Sequence, residues 1–294
     1  MRVFVTGATG FIGSAVVKEL LDAGHQVVGL ARSEASADAL KAAGADVHYG
    51  SLEDTVSLTA GAANSDGVIH TGFIHDFSNY VAACETDRKA IAALAAGLAH
   101  SGKPLVVTSG TALLASGNVT TEESIRPADS ILPRVSELAA ADAAALGVNV
   151  AIVRLPPSVH GDGDHGFVPM LIHIAREKNA AVYVGDGGNR WPAVHRLDAA
   201  RLFRLALEKG DKDAVYHGVA ETGVPMREIA GIIGKRLGVP VLSKTPEEAA
   251  DHFGWIAHFA AIDNPSSSEL TRNVLGWKPT HTGLLDDMEN GTYF

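Results

Sequence analysis

The feature that most constrains the fold is the segment TGATGFIG, which runs from Thr6 to Gly13 between an apolar strand-like run and an amphipathic helical pattern. In a strand–turn–helix unit of this kind, Gly7 permits the tight turn, Gly10 lets the backbone approach a pyrophosphate, and Gly13 lets the helix pack close to the strand. The first amides of the helix then offer N–H donors and a partial positive charge to phosphates. The segment therefore predicts a dinucleotide-binding turn.

Apolar strand-like runs alternate with longer helical patterns, which is typical of a parallel sheet with crossover helices. The apolar runs are nearly continuous, as expected where helices cover both faces of a sheet. We predict strands at 2–6, 26–31, 46–49, 67–72, 104–109 and 149–154. The main helices are predicted at 11–23, 33–43, 53–60, 79–101, 134–146, 168–178, 197–209, 225–237 and 266–275. The pattern favours an α/β fold with a Rossmann doubly wound parallel sheet.

After Arg154 the pattern changes, because the prolines and glycines of LPPSVHGDGDHG indicate turns that lead out of the sheet. We predict a Rossmann domain formed by residues 1–155 together with about 196–220. A smaller C-terminal substrate lobe is predicted from 156–195 and 221–294. Within that lobe, Thr245-Pro-Glu-Glu is a capping-box sequence that predicts the start of a short helix.

Bulk composition argues against several classes of protein. The formal net charge is −10 and the sequence contains no run of Lys or Arg, so a nucleic-acid partner is not expected. No segment approaches the roughly 18 unbroken apolar residues of a membrane helix. Cys84 is the only cysteine, which rules out an internal disulfide, and the chain opens directly on a strand. We expect a cytoplasmic protein with no metal site, because the histidines and acids lack clustered ligand spacing.

The end of the second predicted strand indicates which dinucleotide is preferred. NAD-specific sites usually place Asp or Glu there, whereas this chain has Arg32 and Ser33 in GLARSEAS. A guanidinium can pair bidentately with a 2′-phosphate. The alternative is that Arg32 is a solvated residue at a helix start, and Glu34 lies close by. The residues favour NADP(H), with NAD as the second choice.

Six segments together carry a resemblance to a known family: TGATGFIG, GSLED at 50–54, VIHTG at 68–72, VVTSG at 106–110, VRLPPSVHG at 153–161 and WPAVHRLDAA at 191–200. The chain resembles the short-chain dehydrogenase/reductase superfamily, in the extended or atypical branch that contains nucleotide-sugar epimerases and dehydratases. The resemblance implies cofactor contacts at Gly7, Thr9, Gly10, Phe11, Ile12, Arg32, Leu52, Thr71, Gly72 and Pro156.

The chain departs from this family at the catalytic pair, a Tyr followed four residues later by a Lys. The five tyrosines are followed at that spacing by Glu53, Cys84, Gly187, Ala220 and the end of the chain. Counted back from VRLPPSVHG, the expected window is PRVSE, with Pro133 in place of the Tyr and Glu137 in place of the Lys. The resemblance therefore implies an atypical member without the pair.

Hydroxyl groups are the remaining candidates for polarising a substrate carbonyl. Ser109 and Thr111 follow a predicted core strand beside the expected nicotinamide position, and Ser136 lies on the helix that replaces the usual pair. A purely structural role at the strand end is the alternative for Ser109. His70 and His75 flank the end of the fourth predicted strand and are expected near the cofactor cleft.

These observations predict an NADP(H)-dependent oxidoreductase that reduces a carbonyl of a small organic substrate or oxidises the corresponding alcohol. Two alternatives stay open, a nucleotide-sugar epimerase or dehydratase that uses NAD, and a protein that senses NADP(H) without turnover. Apolar walls for the substrate cleft are expected from Phe73, Phe167, Trp191 and Trp255, with packing in the core as the alternative for each. The Ala-rich helices at 79–101 and 134–146 are predicted either to form a homodimer interface or to pack tightly on their own sheet.

Overall fold

A computed structural model describes residues 1–127 and 132–294. Its strands alternate with helices through the first half of the chain. The strands are β1 (Arg2–Thr6), β2 (Gln26–Ala31), β3 (Asp46–Tyr49), β4 (Gly67–His70), β5 (Pro104–Gly110), β6 (Asn149–Leu155), β7 (Ser158–His160), β8 (Ala181–Val184), β9 (Arg190–His195), β10 (Val215–His217), β11 (Glu221–Pro225) and β12 (Val241–Lys244).

Helices cover both faces of the sheet and also occur throughout the second half of the chain. They are α1 (Phe11–Asp22), α2 (Glu34–Ala43), α3 (Thr55–Ala63), α4 (Tyr80–Leu98), α5 (Ser136–Ala145), α6 (Phe167–Lys178), α7 (Arg196–Lys209), α8 (Met226–Leu237), α9 (Pro246–Phe253), α10 (Ala257–Ala261), α11 (Glu269–Leu275) and α12 (Leu284–Asn290). Short 3-10 segments occur at Phe77–Asn79, Thr111–Leu114 and Gly254–Ile256.

Seven parallel strands form the central sheet in the order β10-β6-β5-β4-β1-β2-β3. The chain builds outward from β1 to β3, then returns to place β4 on the other side of β1 and continues outward to β6. The reversal between β1 and β4 is the switch point at which doubly wound sheets bind ligands, beyond the carboxyl ends of their strands. The predicted Rossmann doubly wound parallel sheet is confirmed.

Two small sheets follow the central one. In the first, β9 pairs parallel with β7 and antiparallel with β11, and in the second β8 pairs parallel with β12. They pack with α6, α8 and α9 around a separate apolar core that includes Trp191, Ile229 and Phe253. Between the pieces of this region, α7 and β10 return to the central sheet, where Phe203 and Tyr216 join the core beneath α1.

The predicted strand positions agree with the structure to within one or two residues. The largest difference is at β4, which ends at His70 rather than at residue 72. Beyond His70, the Thr71 hydroxyl donates to the carbonyl of Thr6 at 2.8 Å, and Gly72 packs against the first glycine turn. The predicted capping box is also confirmed, since the Thr245 side chain and Glu248 cap α9 reciprocally. Contacts of Thr71 and Gly72 with the end of β1 and the glycine turn therefore replace the last two predicted residues of β4.

Candidate cofactor and active site

The glycine turn is built by backbone contacts that leave no space for side chains. Gly7 has a φ of +66°, and a Cβ atom on it would lie 2.7 Å from the Gly72 backbone. A Cβ atom on Gly13 would lie 2.0 Å from the carbonyl oxygen of Gly7. The carboxyl ends of β1 and β4 and the start of α1 are thus in direct backbone contact, as the glycine spacing predicts.

The start of α1 offers backbone amides at this turn. Gly10 is the N-cap residue in an extended conformation, and its N–H donates to the Gly7 carbonyl at 2.9 Å. Among the described residues, no side chain caps the helix, and its first turn contains no acidic residue. Thr9 and Gly10 are exposed, while Phe11 and Ile12 are half-buried. The cradle therefore fits the phosphates of a dinucleotide, which these amides would hold.

The predicted adenosine-side residues lie at the carboxyl end of β2. Arg32 is exposed, and the Ser33 hydroxyl caps α2 by accepting from the Ser36 amide at 3.3 Å. The neighbouring carboxylate of Glu34 accepts a hydrogen bond from the Tyr49 hydroxyl at 3.0 Å, which raises the pKa of Tyr49. Glu34 thus has a partner other than Arg32, and the Arg32 side chain faces solvent at the strand end.

The other residues implied by the resemblance are distributed along the same edge of the sheet. Thr71 and Gly72 contact the glycine turn, and the Leu52 side chain lies 3.0 Å from the position of a Cβ atom on Gly72. Pro156 is buried directly after β6, two strands away from β4 in the sheet. The structure therefore brings Leu52, Thr71 and Gly72 together with the turn and places Pro156 farther along the edge.

A buried chain of hydrogen bonds begins at this turn. The Gly72 amide donates to the Thr6 hydroxyl at 3.3 Å, and that hydroxyl lies 2.7 Å from Nδ1 of His70. On the other side of the ring, Nε2 of His70 lies 3.0 Å from the Asp87 carboxylate on α4. If the Thr6 hydroxyl donates to Nδ1, the neutral His70 ring carries its proton on Nε2 and donates it to Asp87.

The chain continues from Asp87 to the segment that replaces the usual catalytic pair. The Ser136 hydroxyl donates to Asp87 at 2.5 Å and accepts from Nε of Arg134 at 2.9 Å. Burial raises the pKa of Asp87, but the hydrogen bonds from His70 and Ser136 and the charge of Arg134 outweigh it, so the pKa is lowered. Ser136 is completely buried. Its hydroxyl therefore links Asp87 to Arg134 and does not face a cleft.

The other two predicted hydroxyls are also buried and bonded. Ser109 donates to the Glu137 carboxylate at 2.7 Å, and Arg154 holds the same carboxylate through Nε and a terminal nitrogen at 2.8 and 2.9 Å. Burial raises the pKa of Glu137, but the Arg154 hydrogen bonds and charge lower it below its usual range. Thr111 bonds the Asn264 side chain at 3.0 Å. Substrate contact by Ser109 or Thr111 stays a prediction.

Aromatic rings from two parts of the chain meet in front of these networks. The Phe77 ring stacks on Trp255 with centroids 4.3 Å apart and on Tyr80 at 5.5 Å, and it lies 6.2 Å from Phe167. The guanidinium of Arg134 lies 4.3 Å from the centroid of Phe73. These rings form an apolar wall between the β4–α4 segment and the C-terminal region.

The four residues predicted for the cleft walls differ in their positions. Phe73 and Trp255 belong to the aromatic wall, and Phe167 connects it to the C-terminal core. Trp191 is completely buried and packs against Phe167 with centroids 5.8 Å apart. It is a core residue of the C-terminal region rather than a surface that a substrate could reach.

Sequence reasoning did not single out Asp87, Arg134 or Tyr80. Tyr80 and Asp87 are seven residues apart on α4, which places them on one face of the helix, but Arg134 precedes α5 and no spacing along the chain relates it to them. The one available signal was the position of Arg134, directly after Pro133 in the window of the missing pair. An arginine next to the position of the family tyrosine could have indicated that Arg134 lies near the active site.

A pH effect on stability is expected from His217, which is completely buried on β10. Its Nδ1 lies 2.8 Å from the Ser267 carbonyl, and Nε2 lies 3.4 Å from the Arg154 guanidinium. Burial and the Arg154 charge lower the pKa of His217 from 6.5 to about 4, against the opposing effect of Glu122. The folded ring therefore stays neutral in a range where the unfolded chain takes up a proton.

As the pH falls from about 6.5 to 4, we expect His217 to remove roughly 2 kcal/mol from the free energy of unfolding, because the unfolded state binds more protons. Urea unfolding at several pH values measures this loss. A His217→Gln variant, whose side chain does not titrate, should show a shallower pH dependence. Equal slopes for the wild type and the variant would contradict the assignment.

Across residues 1–127 and 132–294, no three His, Cys, Asp or Glu side chains gather in a way that could hold a metal ion. In the same ranges, no helix has both the length and the apolar character needed to span a membrane.

Comparisons with known proteins agree with this geometry. The family profile described as "NAD dependent epimerase/dehydratase family" matches residues 3–219. An uncharacterized protein of Schizosaccharomyces pombe is 53% identical over 295 residues and covers 100% of both chains. A 2-alkyl-3-oxoalkanoate reductase of Stenotrophomonas maltophilia is 29% identical over 264 residues, covering 83% of this chain and 78% of its own.

Among solved structures, a dTDP-glucose 4,6-dehydratase from Streptomyces venezuelae with NAD bound has a TM-score of 0.78 at 22% identity and covers 98% of this chain and 95% of its own. A UDP-glucose 4-epimerase from Thermotoga maritima has a TM-score of 0.75 at 19% identity, with coverage of 98% and 96%. At these identities the structures support the fold.

Proposed function

Because this chain belongs to the NAD dependent epimerase/dehydratase family, and is an NAD(P)-dependent enzyme of oxidoreductase type, we propose that it uses NADP(H) to interconvert a carbonyl and an alcohol on a small organic substrate. The observation that carries the proposal is the side-chain-free cradle of Gly7, Gly13 and Gly72 at the switch point of the sheet. Ligands of doubly wound sheets bind in this crevice.

The choice of NADP(H) rests on Arg32. The side chain is exposed at the carboxyl end of β2, where a ribose 2′-phosphate would lie, and the carboxylate next to it is hydrogen-bonded to Tyr49. A guanidinium makes strong, charge-assisted hydrogen bonds to a phosphate, whereas a carboxylate at this position would favour a free 2′-hydroxyl. Arg32 and the cap residue Ser33 are therefore the proposed 2′-phosphate contacts.

Replacing Arg32 with alanine is expected to weaken NADPH binding by about 10-fold or more, since hydrogen bonds to charged groups contribute roughly 1.5 to 3 kcal/mol. NADH binding should change by less than about twofold, because NADH carries no 2′-phosphate. Fluorescence titration of both reduced nucleotides measures the two affinities. Equal losses for NADPH and NADH, or equal affinities in the wild type, would remove the role of Arg32.

The substrate cleft is proposed to lie between the ends of β4 to β6 and the aromatic wall. When bound, the reduced nicotinamide supplies a hydride to the substrate carbonyl carbon. Ser109 is the candidate for polarising the carbonyl oxygen, because it lies at the end of β5. In that role its O–H, which donates to Glu137 in this structure, would turn to the substrate oxygen. Thr111 and Ser136 are proposed to support the site from within, through Asn264 and Asp87 respectively.

A panel of ketones and aldehydes, followed by NADPH absorbance, tests the proposed reaction. Oxidation of NADPH with any class of carbonyl supports it. Cofactor binding without turnover on the whole panel would favour an NADP(H)-sensing protein. NAD held tightly together with activity on a sugar nucleotide would favour the epimerase or dehydratase alternative.

We also propose a homodimer that forms through the Ala-rich helices α4 and α5. The inner face of α5, with Ala139, Ala140 and Ala143, is buried. Leu138 on its outer face and Leu146, the residue that follows the helix, are 61% and 74% exposed. The inner face thus packs against the rest of the chain, and the outer face is available for a second copy of the chain. Light scattering in solution measures the oligomeric state.

A further inference from the structure

The window of the missing Tyr/Lys pair contains a cation, Arg134, and lies next to a tyrosine from another segment, Tyr80. Tyr80 is the first residue of α4, and Arg134 follows Pro133, which stands in place of the family tyrosine. Both groups contact one ring: the centroid of Phe73 lies 4.3 Å from the Arg134 guanidinium carbon and 5.8 Å from the Tyr80 ring. The first turns of α4 and α5 lie at the carboxyl edge of the sheet, where the cofactor cleft is proposed.

Arg134 is held in a defined orientation. Its Nε donates to Ser136 at 2.9 Å, and a terminal nitrogen donates to the Thr108 carbonyl at 3.2 Å. Ser136 is fixed in turn by Asp87, the carboxylate that closes the hydrogen-bond chain from the glycine turn. This buried chain therefore fixes the guanidinium against Phe73, beside Tyr80.

Tyr80 has an environment that suits a proton donor. Its ring is half-buried and stacks against Phe77 with an interplanar angle of 20°, which limits its motion. The Phe77 ring also contacts Trp255 and Phe167, so the Tyr80 ring is part of the proposed apolar wall of the substrate cleft. A phenol near a fixed cation can give up a proton and leave a stabilised anion.

We propose that Tyr80 is the proton donor of the reaction and that Arg134 stabilises its anion, so that two segments supply the chemistry that one helix supplies in the family pattern. The inference rests on the proposed carbonyl reduction. As the hydride adds to the carbonyl carbon, the carbonyl π bond breaks, and the oxygen takes the proton from the Tyr80 O–H bond. The Tyr80 anion then regains a proton from water, and the products are the alcohol and the oxidised cofactor.

The charges around Tyr80 are consistent with this role. Burial raises the pKa of Tyr80, Cys84 and Asp87 act in the same direction, and the charge and hydrogen bonding of Arg134 lower it. The phenol is therefore protonated at neutral pH, as a donor must be. Arg134 is the group among these that favours the anion, so its removal should raise the pKa of Tyr80 further.

The first test needs neither cofactor nor substrate. Tyrosines are replaced by a fluorinated tyrosine that ionises near neutral pH, and the titration of each is followed by fluorine NMR, with Tyr80→Phe identifying the signal of residue 80. In Arg134→Met, the pKa of that residue should rise by about one unit, which is a tenfold change in its ionisation. Arg134→Lys, which keeps the charge, should restore most of the shift. An unchanged pKa in Arg134→Met would overturn the pairing.

The second test measures catalysis and cofactor binding separately. Tyr80→Phe should lower kcat by about 100-fold or more, as expected for loss of a general acid, with KM changed little. Its NADPH affinity should stay within about twofold of the wild type, because Tyr80 is not placed at the phosphates. Tyr183→Phe, a change of the same kind on β8 in the C-terminal region, is the control for unspecific effects.

The outcomes separate the inference from the proposed function. Retention of more than half of kcat in Tyr80→Phe would overturn the proton-donor role while leaving the proposed function intact. Lack of turnover by the wild type with every carbonyl would overturn the proposed function instead, and the fluorine titration would still decide whether Tyr80 and Arg134 form a pair. A loss of kcat together with the raised pKa in Arg134→Met would support the inference.

Discussion

Gly13→Ala is expected to weaken NADPH binding by about 100-fold or more, because losing two charge-assisted hydrogen bonds to the phosphates would cost roughly 3 kcal/mol. The added methyl group would lie 2.0 Å from the Gly7 carbonyl oxygen, a separation that atoms cannot adopt. The start of α1 must therefore move away from β1, and its first amides move with it. Titration of NADPH fluorescence measures the loss.

A control glycine distinguishes this effect from a general effect of alanine. Gly231 lies inside α8, and a Cβ atom on it would meet nothing within 4 Å. Gly231→Ala should leave NADPH affinity unchanged and stabilise the fold by up to about 1 kcal/mol, because alanine is the better helix former. Tight NADPH binding by a folded Gly13→Ala variant would contradict the placement of the phosphates on this turn.

Glu137→Ala is expected to lower the free energy of unfolding by about 3 to 5 kcal/mol, the usual cost of leaving one member of a buried ion pair without its partner. Arg154 holds Glu137 through two hydrogen bonds of 2.8 and 2.9 Å, and its side chain is only 5% exposed. The variant therefore leaves the buried guanidinium without its carboxylate partner, with the carbonyls of Glu122 and Ser124 as remaining acceptors, and removes the acceptor of the Ser109 hydroxyl. Urea unfolding measures the change.

An exposed ion pair supplies the matched control for Glu137→Ala. Lys18 and Asp22 lie 2.7 Å apart on α1, and their side chains are 70% and 61% exposed. Asp22→Ala should change stability by less than about 0.5 kcal/mol, since solvent screens such pairs. Similar changes in both variants would mean that the Arg154–Glu137 pair does not stabilise the fold in the way its burial indicates.

The part of the structure that was predictable from the sequence is the part that depends on local chemistry. The glycines of the first turn can be assigned because only glycine fits where β1, β4 and α1 touch. The strands of the central sheet are equally readable, since strands covered on both faces are almost continuously apolar. The cap of α9 follows from Thr245 and Glu248 for a similar reason, because both partners lie within four residues.

The candidate site was less predictable because its parts come from distant segments. Arg134 approaches Tyr80 and Asp87 only after α4 and α5 dock side by side on the sheet, and no sequence spacing encodes that contact. The partners of the predicted hydroxyls were missed for the same reason, since Ser109 meets Glu137, 28 positions later, and Thr111 meets Asn264, 153 positions later. The strands of the C-terminal region, such as β7 with three residues, are too short to show a periodic pattern.

A crystal structure of the protein grown with NADP⁺ would show directly whether nicotinamide dinucleotide phosphates bind to the backbone of the first glycine turn. We expect electron density for the pyrophosphate at the amides of Phe11 and Ile12, with the 2′-phosphate beside Arg32. Density for the nucleotide at any other site, with the turn of Gly7 to Gly13 empty, would contradict this placement.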